Sequence, residues 1–128
     1  MPLTPTMNPE FRPGRNRTGA TIGRYLLMKA DTANMPDGIT ATTADTDVPV
    51  GVTAANVPDG TNGDLCVRGR HPVTASGAIA SGARIAPDAG GKVKAAAAGD
   101  AVIGHAVDAA AADNDIIAAE LNIPGSVW

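Results

Sequence analysis

Aromatic side chains are almost missing from this chain: Phe11, Tyr25 and Trp128 are its only three in 128 residues. That excludes a deep aromatic core, and it removes the stacking platforms on which single-stranded nucleic acids are usually held. Cysteine occurs once, at Cys66, so no disulfide within the chain can staple it. The setting Leu65-Cys66-Val67 reads as a strand interior, where a thiol behaves as a small hydrophobe. Histidine occurs twice, at His71 and His105, with no cysteine or carboxylate at a ligand-like interval, so both read as ordinary strand or surface residues. No apolar run approaches the roughly 18 residues that a membrane helix needs, and Pro and Arg break up the first thirty residues, so no signal-peptide h-region is present. A soluble chain made in a cytoplasm is the expectation.

Catalytic patterns are equally scarce. Asp108, Asp113 and Asp115 crowd one stretch, but their spacing is not that of an EF-hand and no bidentate Glu closes it. Gly60-Thr61-Asn62-Gly63-Asp64 lacks the Lys and the following helix of a phosphate loop. No enzyme, metal or cofactor is expected.

What is abundant is alanine, which supplies 25 residues, against 23 Val, Leu and Ile together. Burying a Val, Leu or Ile side chain is worth about 1.5–3 kcal/mol and an Ala much less, so the core should be shallow and a partner or self-association should help stabilise it. Net charge is -3, unevenly spread. Five of the ten basic residues and one acid fall in residues 1–30, leaving an acidic remainder. A basic arm leading an acidic body suggests contact with an acidic partner surface, or simply a solubilising tag.

Residues 1–18 carry Pro at 2, 5, 9 and 13, which excludes helix and predicts an extended arm that the body does not need for folding. Leu3, Met7 and Phe11 are its apolar anchors, with Arg12, Arg15 and Arg17 beside them. Phe11 either anchors on another molecule or folds back onto the body. From Ala20 onward, short β-compatible runs alternate with turn signals at about ten-residue spacing, which predicts a small all-β barrel or sandwich. The runs are 22–29, 39–43, 48–54, 64–69, 71–74, 83–86, 92–95, 102–107 and 116–122. Met35-Pro36-Asp37-Gly38 and Val57-Pro58-Asp59-Gly60 are turns, and Pro49 belongs at an edge or a strand start. The alanine runs at 95–98 and 109–112 allow a single helical turn at most. Arg68-Gly69-Arg70-His71 is a compact basic spot that meets a partner's carboxylates or phosphate, or is a solvated loop. Trp128, in the tail 123–128, could plug a neighbouring pocket.

An imperfect internal repeat runs through the body. Gly23-x-x-Leu26, Gly38 and Val50-Gly51, then Asp64-Leu65 reappear in order as Gly82-x-x-Ile85, Gly91 and Ile103-Gly104, then Asp115-Ile116. A chain this rich in Ala and Gly can also produce such marks by composition alone.

Residues Gly77 to Ile85, Asp88 to Val93, Val102 to Ala112 and Asp115 to Ile117 resemble the second half of the capsid decoration (cement) proteins of tailed bacteriophages. The stretch Ile22 to Val67 is similar in a looser way, so the resemblance spans about residues 19–122. It implies a β-tulip body, a homotrimer at three-fold or quasi-three-fold positions on the outside of the head, and the major capsid protein as partner. It also implies that the chain locks adjacent capsid subunits against packaged-DNA pressure, commonly through a terminal arm that adds to a capsid sheet. Neither nucleic acid nor membrane is then a direct partner. Four prolines in the arm are more than strand addition would want. A head-fibre or tail-associated β-module and a small ligand-binding barrel are the alternatives.

Overall fold

The computed structural model describes residues 9–123. Among these lie nine strands: β1 (Glu10–Asn16), β2 (Leu27–Ala30), β3 (Gly38–Ala41), β4 (Pro49–Thr53), β5 (Asn62–Thr74), β6 (Arg84–Pro87), β7 (Val93–Ala95), β8 (Gly104–Ala106) and β9 (Ile116–Asn122). They form one sheet in the order β1-β3-β2-β4-β5-β9-β8-β6-β7, and β1 pairs also with β5, closing a five-stranded barrel. No α-helix occurs among the described residues; the alanine runs lie in turns and strand ends.

The sheet has a recurring strand order. The order β3-β2-β4-β5 recurs in reverse as β9-β8-β6-β7, with every equivalent pair antiparallel. Gly51 in β4 and Gly104 in β8 correspond, at φ +156 and +153. Each lets a neighbouring strand approach closer than a Cβ would permit: a Cβ at Gly51 would meet Leu65 Cβ at 2.6 Å, and one at Gly104 would collide with the Glu120 carbonyl oxygen. The fourth mark does not correspond. Val52 faces Cys66 and Gly104 faces Leu121, so Asp64 and Asp115 fall at different distances from the two glycine contacts.

The core divides in the same way. Ile22, Met28, Ile39, Val57 and Leu65 fill the barrel. A larger cluster, including Leu27, Val52, Cys66, Val73, Ile85, Val93, Ile103 and Leu121, lies between the barrel wall and the second half. Both are aliphatic, as the composition predicts.

Two local features depart from expectation. The run 64–69 and the run 71–74 form one strand, β5, with Gly69 at φ +102 between them, so Arg68-Gly69-Arg70-His71 lies within a strand rather than in a loop. The run 22–29 becomes a strand only from Leu27, because Tyr25 turns the chain at φ +62.

The arm differs most. Its residues Glu10–Asn16 are β1, antiparallel to β5 over 10–15 and parallel to β3 at Arg15 and Asn16. Both Pro-Asp-Gly turns grip its end: Arg15 N–H donates to Asp37 O, Asn16 N–H to Thr61 O, and Gly60 N–H to Asn16 O. The Asn16 side chain, fully buried, donates to Ala20 O and Val57 O at 2.7 and 2.8 Å and accepts from Thr18 N–H and Oγ1. Asn16→Leu would remove these four hydrogen bonds, each worth about 0.5–1.5 kcal/mol, although Val57 O keeps Ile22 N–H and the exposed Thr18 and Ala20 can turn to water. A loss of roughly 3 kcal/mol in urea unfolding is expected; a change under about 1 kcal/mol would contradict this role for Asn16.

Candidate functional site

With both cores aliphatic, the aromatic rings are left for the surface. Phe11, on β1, is 42% exposed, and its ring meets His71 edge-on at 5.9 Å and 76°. Tyr25 meets the same imidazole at 5.9 Å and 75°, and the Arg24 guanidinium stands 5.1 Å from the Tyr25 ring centroid. Arg24, Tyr25 and Phe11 thus form a ridge of rings and cation, packed on the buried His71 imidazole. Aromatic and arginine side chains of this kind dominate binding energy where proteins meet.

Tyr25 is held there against backbone preference. A left-handed φ in a bulky residue costs on the order of 1–3 kcal/mol and persists only where its surroundings over-determine it. Three hydrogen bonds do so: Tyr25 N–H donates to Thr53 O at 2.8 Å, while Tyr25 O accepts from Thr74 N–H and Oγ1 at 3.1 and 3.0 Å.

His71 lies beneath the two rings, with Nδ1 2.8 Å from Pro72 O. Since a carbonyl can only accept, Nδ1 carries the proton and the neutral ring presents Nε2 as an acceptor. Burial disfavours the imidazolium and lowers the His71 pKa, which the Pro72 carbonyl opposes only in part. The unfolded chain therefore takes up this proton first as pH falls, so stability present above about pH 6.5 declines as pH drops through that value. Asp88, bonded by the Ser76 hydroxyl, and Asp47, whose bonds from Thr43, Ala44 and Lys29 outweigh its burial, both have lowered pKa values, so their losses begin only in the more acidic carboxylate range. Between about pH 7 and pH 5 the melting temperature should fall in the wild type and less steeply in His71→Gln. Parallel slopes would remove His71 from this account.

The residues singled out in the sequence do not form a single strip. Leu3, Met7 and Trp128 lie outside the described residues. Arg17 pairs with Asp37 at 3.2 Å, Arg70 with Glu120 at 3.2 Å, and Arg12 loosely with Glu10 at 3.8 Å. Arg15 is half-buried, its Nε without a hydrogen-bond partner among the described residues. Arg68 is exposed, opposite Glu10 and Asn122 in the ladder. Phe11 joins the ridge instead, with Arg24 and Tyr25, which sequence reasoning did not select, and with His71, which it named only as the end of the basic spot at 68–71. The usable signal was scarcity: where only one Phe and one Tyr exist and aliphatics can fill the core, both rings are free for recognition. Cys66 is buried, with burial pushing its thiol pKa up, as befits a packed side chain. Among the described residues no group of three or more His, Cys, Asp or Glu is placed to hold a metal ion.

Fold and surface together define a small β-structural module whose distinctive chemistry lies in outward-facing side chains. The chain belongs to the phage cement protein family, whose model matches residues 21–121. It is a phage structural protein associated with the capsid. Among solved structures it is similar in fold to the N base of the head fibre gp8.5 of bacteriophage phi29, with a TM-score of 0.67 at 16% identity over 90% of this chain and 95% of that one. No characterised protein matches it significantly in sequence.

Proposed function

We propose that this protein binds the outer surface of the assembled phage head as a homotrimer of β-tulip type, bridges adjacent major capsid protein subunits at three-fold or quasi-three-fold positions, and stabilises the shell against packaged DNA. The carrying observation is the ridge of Arg24, Tyr25 and Phe11 packed on buried His71, in which a strained, half-buried Tyr25 is held in place on a module belonging to a cement family. Leu3 and Met7 extend this contact along the N-terminal segment, with Arg12, Arg15, Arg17, Arg68 and Arg70 supplying positive charge around it and Trp128 a further anchor. Three copies in one trimer raise the effective concentration of each contact, so modest single contacts add to durable attachment.

The test is co-sedimentation with undecorated capsids. Phe11→Ala and Tyr25→Gly, the second substituting a residue that adopts a left-handed φ freely, should each weaken binding about tenfold, equivalent to about 1.4 kcal/mol, while leaving the fold intact. Thr21→Ala, at an exposed site off the ridge, should bind as the wild type does. Equal binding by all three variants would remove the ridge from the contact. The shared fold with the gp8.5 N base favours a head-fibre base as the second reading; it predicts a fibre segment carried on this module in the virion.

A further inference from the structure

The two halves match in their hydrogen bonds as well as their strand order. Asn16 bridges in parallel to Ile39 as Ala75 does to Val93, and Ile22 bridges to Val57 as Ile79 does to Ala110. Gly60 N–H donates to Asn16 O as Asn114 N–H does to Ala75 O, with φ +79 and +72. Tyr25 N–H donates to Thr53 O as Gly82 N–H does to Ala106 O, again both at positive φ. Residues 70–75 therefore close the second half as β1 closes the first, and Pro72 stands where Pro13 does. Arg15 N–H, pointing to Asp37 O, and Thr74 N–H, pointing to Tyr25 O, face away from the β1–β5 and β5–β9 ladders. By alternation each proline's missing N–H costs its ladder nothing.

In the second half, the groove between this closing segment and β7 is filled by the first half. The Tyr25 ring rests on His71, Gly91 N–H donates to Thr42 O at 3.1 Å, and Thr42 Oγ1 donates to Asp88 O at 2.9 Å. A Cβ on Gly91 would lie 3.0 Å from Leu27 O and 3.1 Å from Leu26 Cβ, and Leu27 shares the larger core with Val93 and Ile103. In the first half the corresponding groove is an open cleft of about 160 Å³, with Arg12, Asp37 and Ile39 where the second half has His71, Gly91 and Val93.

The positions that differ between the two grooves are complementary. Leu27 meets Gly91 in the filled groove; their counterparts are Arg84, exposed at the start of β6, and Asp37, exposed beside the cleft. A Leu–Gly contact thus becomes an Arg–Asp pair. Ala101 N–H donates to Asp45 O across the filled contact, and the counterparts there are Val48, 72% exposed, and the exposed Ala98.

We infer that copies of this chain join head to tail, the second half of one covering the cleft of the next with Ala83 and Arg84 as Leu26 and Leu27 cover the groove within the chain. This inference rests on the homotrimer reading, to which it supplies the contact: a heterologous interface that closes three chains into a ring of six halves. Residues 10–68 and 69–122 are the two halves, so β1 of one copy begins where β9 of another ends, as 69 follows 68 within the chain. One bond is not repeated. Arg15 N–H is taken by Asp37 O, so side chains carry the contact; Arg17 bonds Oδ1 of Asp37 at 3.2 Å, and the neighbour's Arg84 takes Oδ2.

Disulfide trapping reads the contact directly. Within the chain, the Cβ position at 91 lies 3.1 Å from Leu26 Cβ, near the roughly 3.5–4.5 Å of a disulfide. The double variant Asp37→Cys with Ala83→Cys should therefore cross-link between copies on mild oxidation, up to a trimer band on a non-reducing gel. Neither single variant should, since native Cys66 is buried. In sedimentation velocity, Asp37→Arg and Arg84→Asp should each weaken trimer formation about tenfold, and the two together should restore it. A trimer that neither cross-links nor responds to the reversals would overturn the head-to-tail contact and leave the homotrimer standing. Wild-type protein that is monomeric in solution, with a cysteine pair that stays uncross-linked on capsids, would remove the homotrimer and the contact together. A cross-linked ladder running beyond three chains would overturn closure into a ring of three.

Discussion

Gly104→Ala is expected to cost about 3–5 kcal/mol, a large share of the roughly 5–15 kcal/mol that holds a typical domain together. Two effects combine. At φ +153 the backbone is in a region that glycine alone occupies freely, which costs other residues about 1–3 kcal/mol. The new Cβ would also land on the Glu120 carbonyl oxygen across the β8–β9 ladder, forcing apart strands that hold Ile103, Ala106 and Leu121 in the larger core, an overpacking cost of about 1–3 kcal/mol. Gly99→Ala separates the two terms, because Gly99 also has positive φ, +91, but nothing lies within 4 Å of its would-be Cβ. It should cost about 1–2 kcal/mol. Thermal unfolding followed by circular dichroism should show a fall of more than about 10 °C for Gly104→Ala and much less for Gly99→Ala. Equal shifts would mean that the strand contact at Gly104 is not what the glycine is for. Gly51→Ala, at the equivalent position of the first half, should resemble Gly104→Ala, since the repeat uses glycine there for the same close approach.

Removing β1 should do more damage still. Gly14 and Gly63 face each other across β1 and β5, and the space their side chains would take is filled by Ile39 and Leu65 on one side and by Val57 on the other. A Cβ on Gly14 would lie 2.7 Å from Ile39 Cγ2 and 3.0 Å from Leu65 Cδ1. Without β1, Ile39 and Leu65, now 3% and 2% exposed, face water, the barrel loses its closing strand, and the bonds centred on Asn16 disappear. Burial of two such side chains alone is worth about 3–6 kcal/mol. Deletion of residues 2–16 is therefore expected to abolish cooperative unfolding of the barrel half. Deletion of residues 2–8 should leave the unfolding transition in place and weaken capsid attachment. A chain lacking residues 2–16 that unfolds like the wild type would contradict the closed barrel.

These two predictions fall where reading the sequence worked best and worst. The glycine at 104 was legible as part of a repeat, because a Gly after an aliphatic residue at a fixed interval reports a backbone requirement that composition alone does not impose. The strand at Ile116–Asn122 and both Pro-Asp-Gly turns were legible for similar local reasons, namely β-branched residues between polar turns, and a Pro that presets φ. β1 was hidden because its evidence is not local. Prolines argue against a ladder, and only the direction in which Pro13 faces, set by β5 some fifty residues away, makes it harmless. Tyr25 and His71 were hidden for a related reason. Nothing near Tyr25 in sequence announces a left-handed residue, since Thr53 and Thr74 impose it from other strands, and His71 acquires its meaning only from the rings on either side. The family resemblance, by contrast, was carried by Gly, Ala and Asp at strand ends, the residues that report the frame and not the contact surface.

The central claim is that bound protein makes the shell harder to break. The most direct measurement is the temperature at which DNA-filled capsids lacking this protein release their DNA to an external dye, with and without saturating wild-type protein. The account predicts a higher release temperature with wild-type protein, rising with occupancy, and little rise with Phe11→Ala or Tyr25→Gly at the same added concentration. Saturated binding with an unchanged release temperature would contradict it, leaving a protein that decorates the head without cementing it.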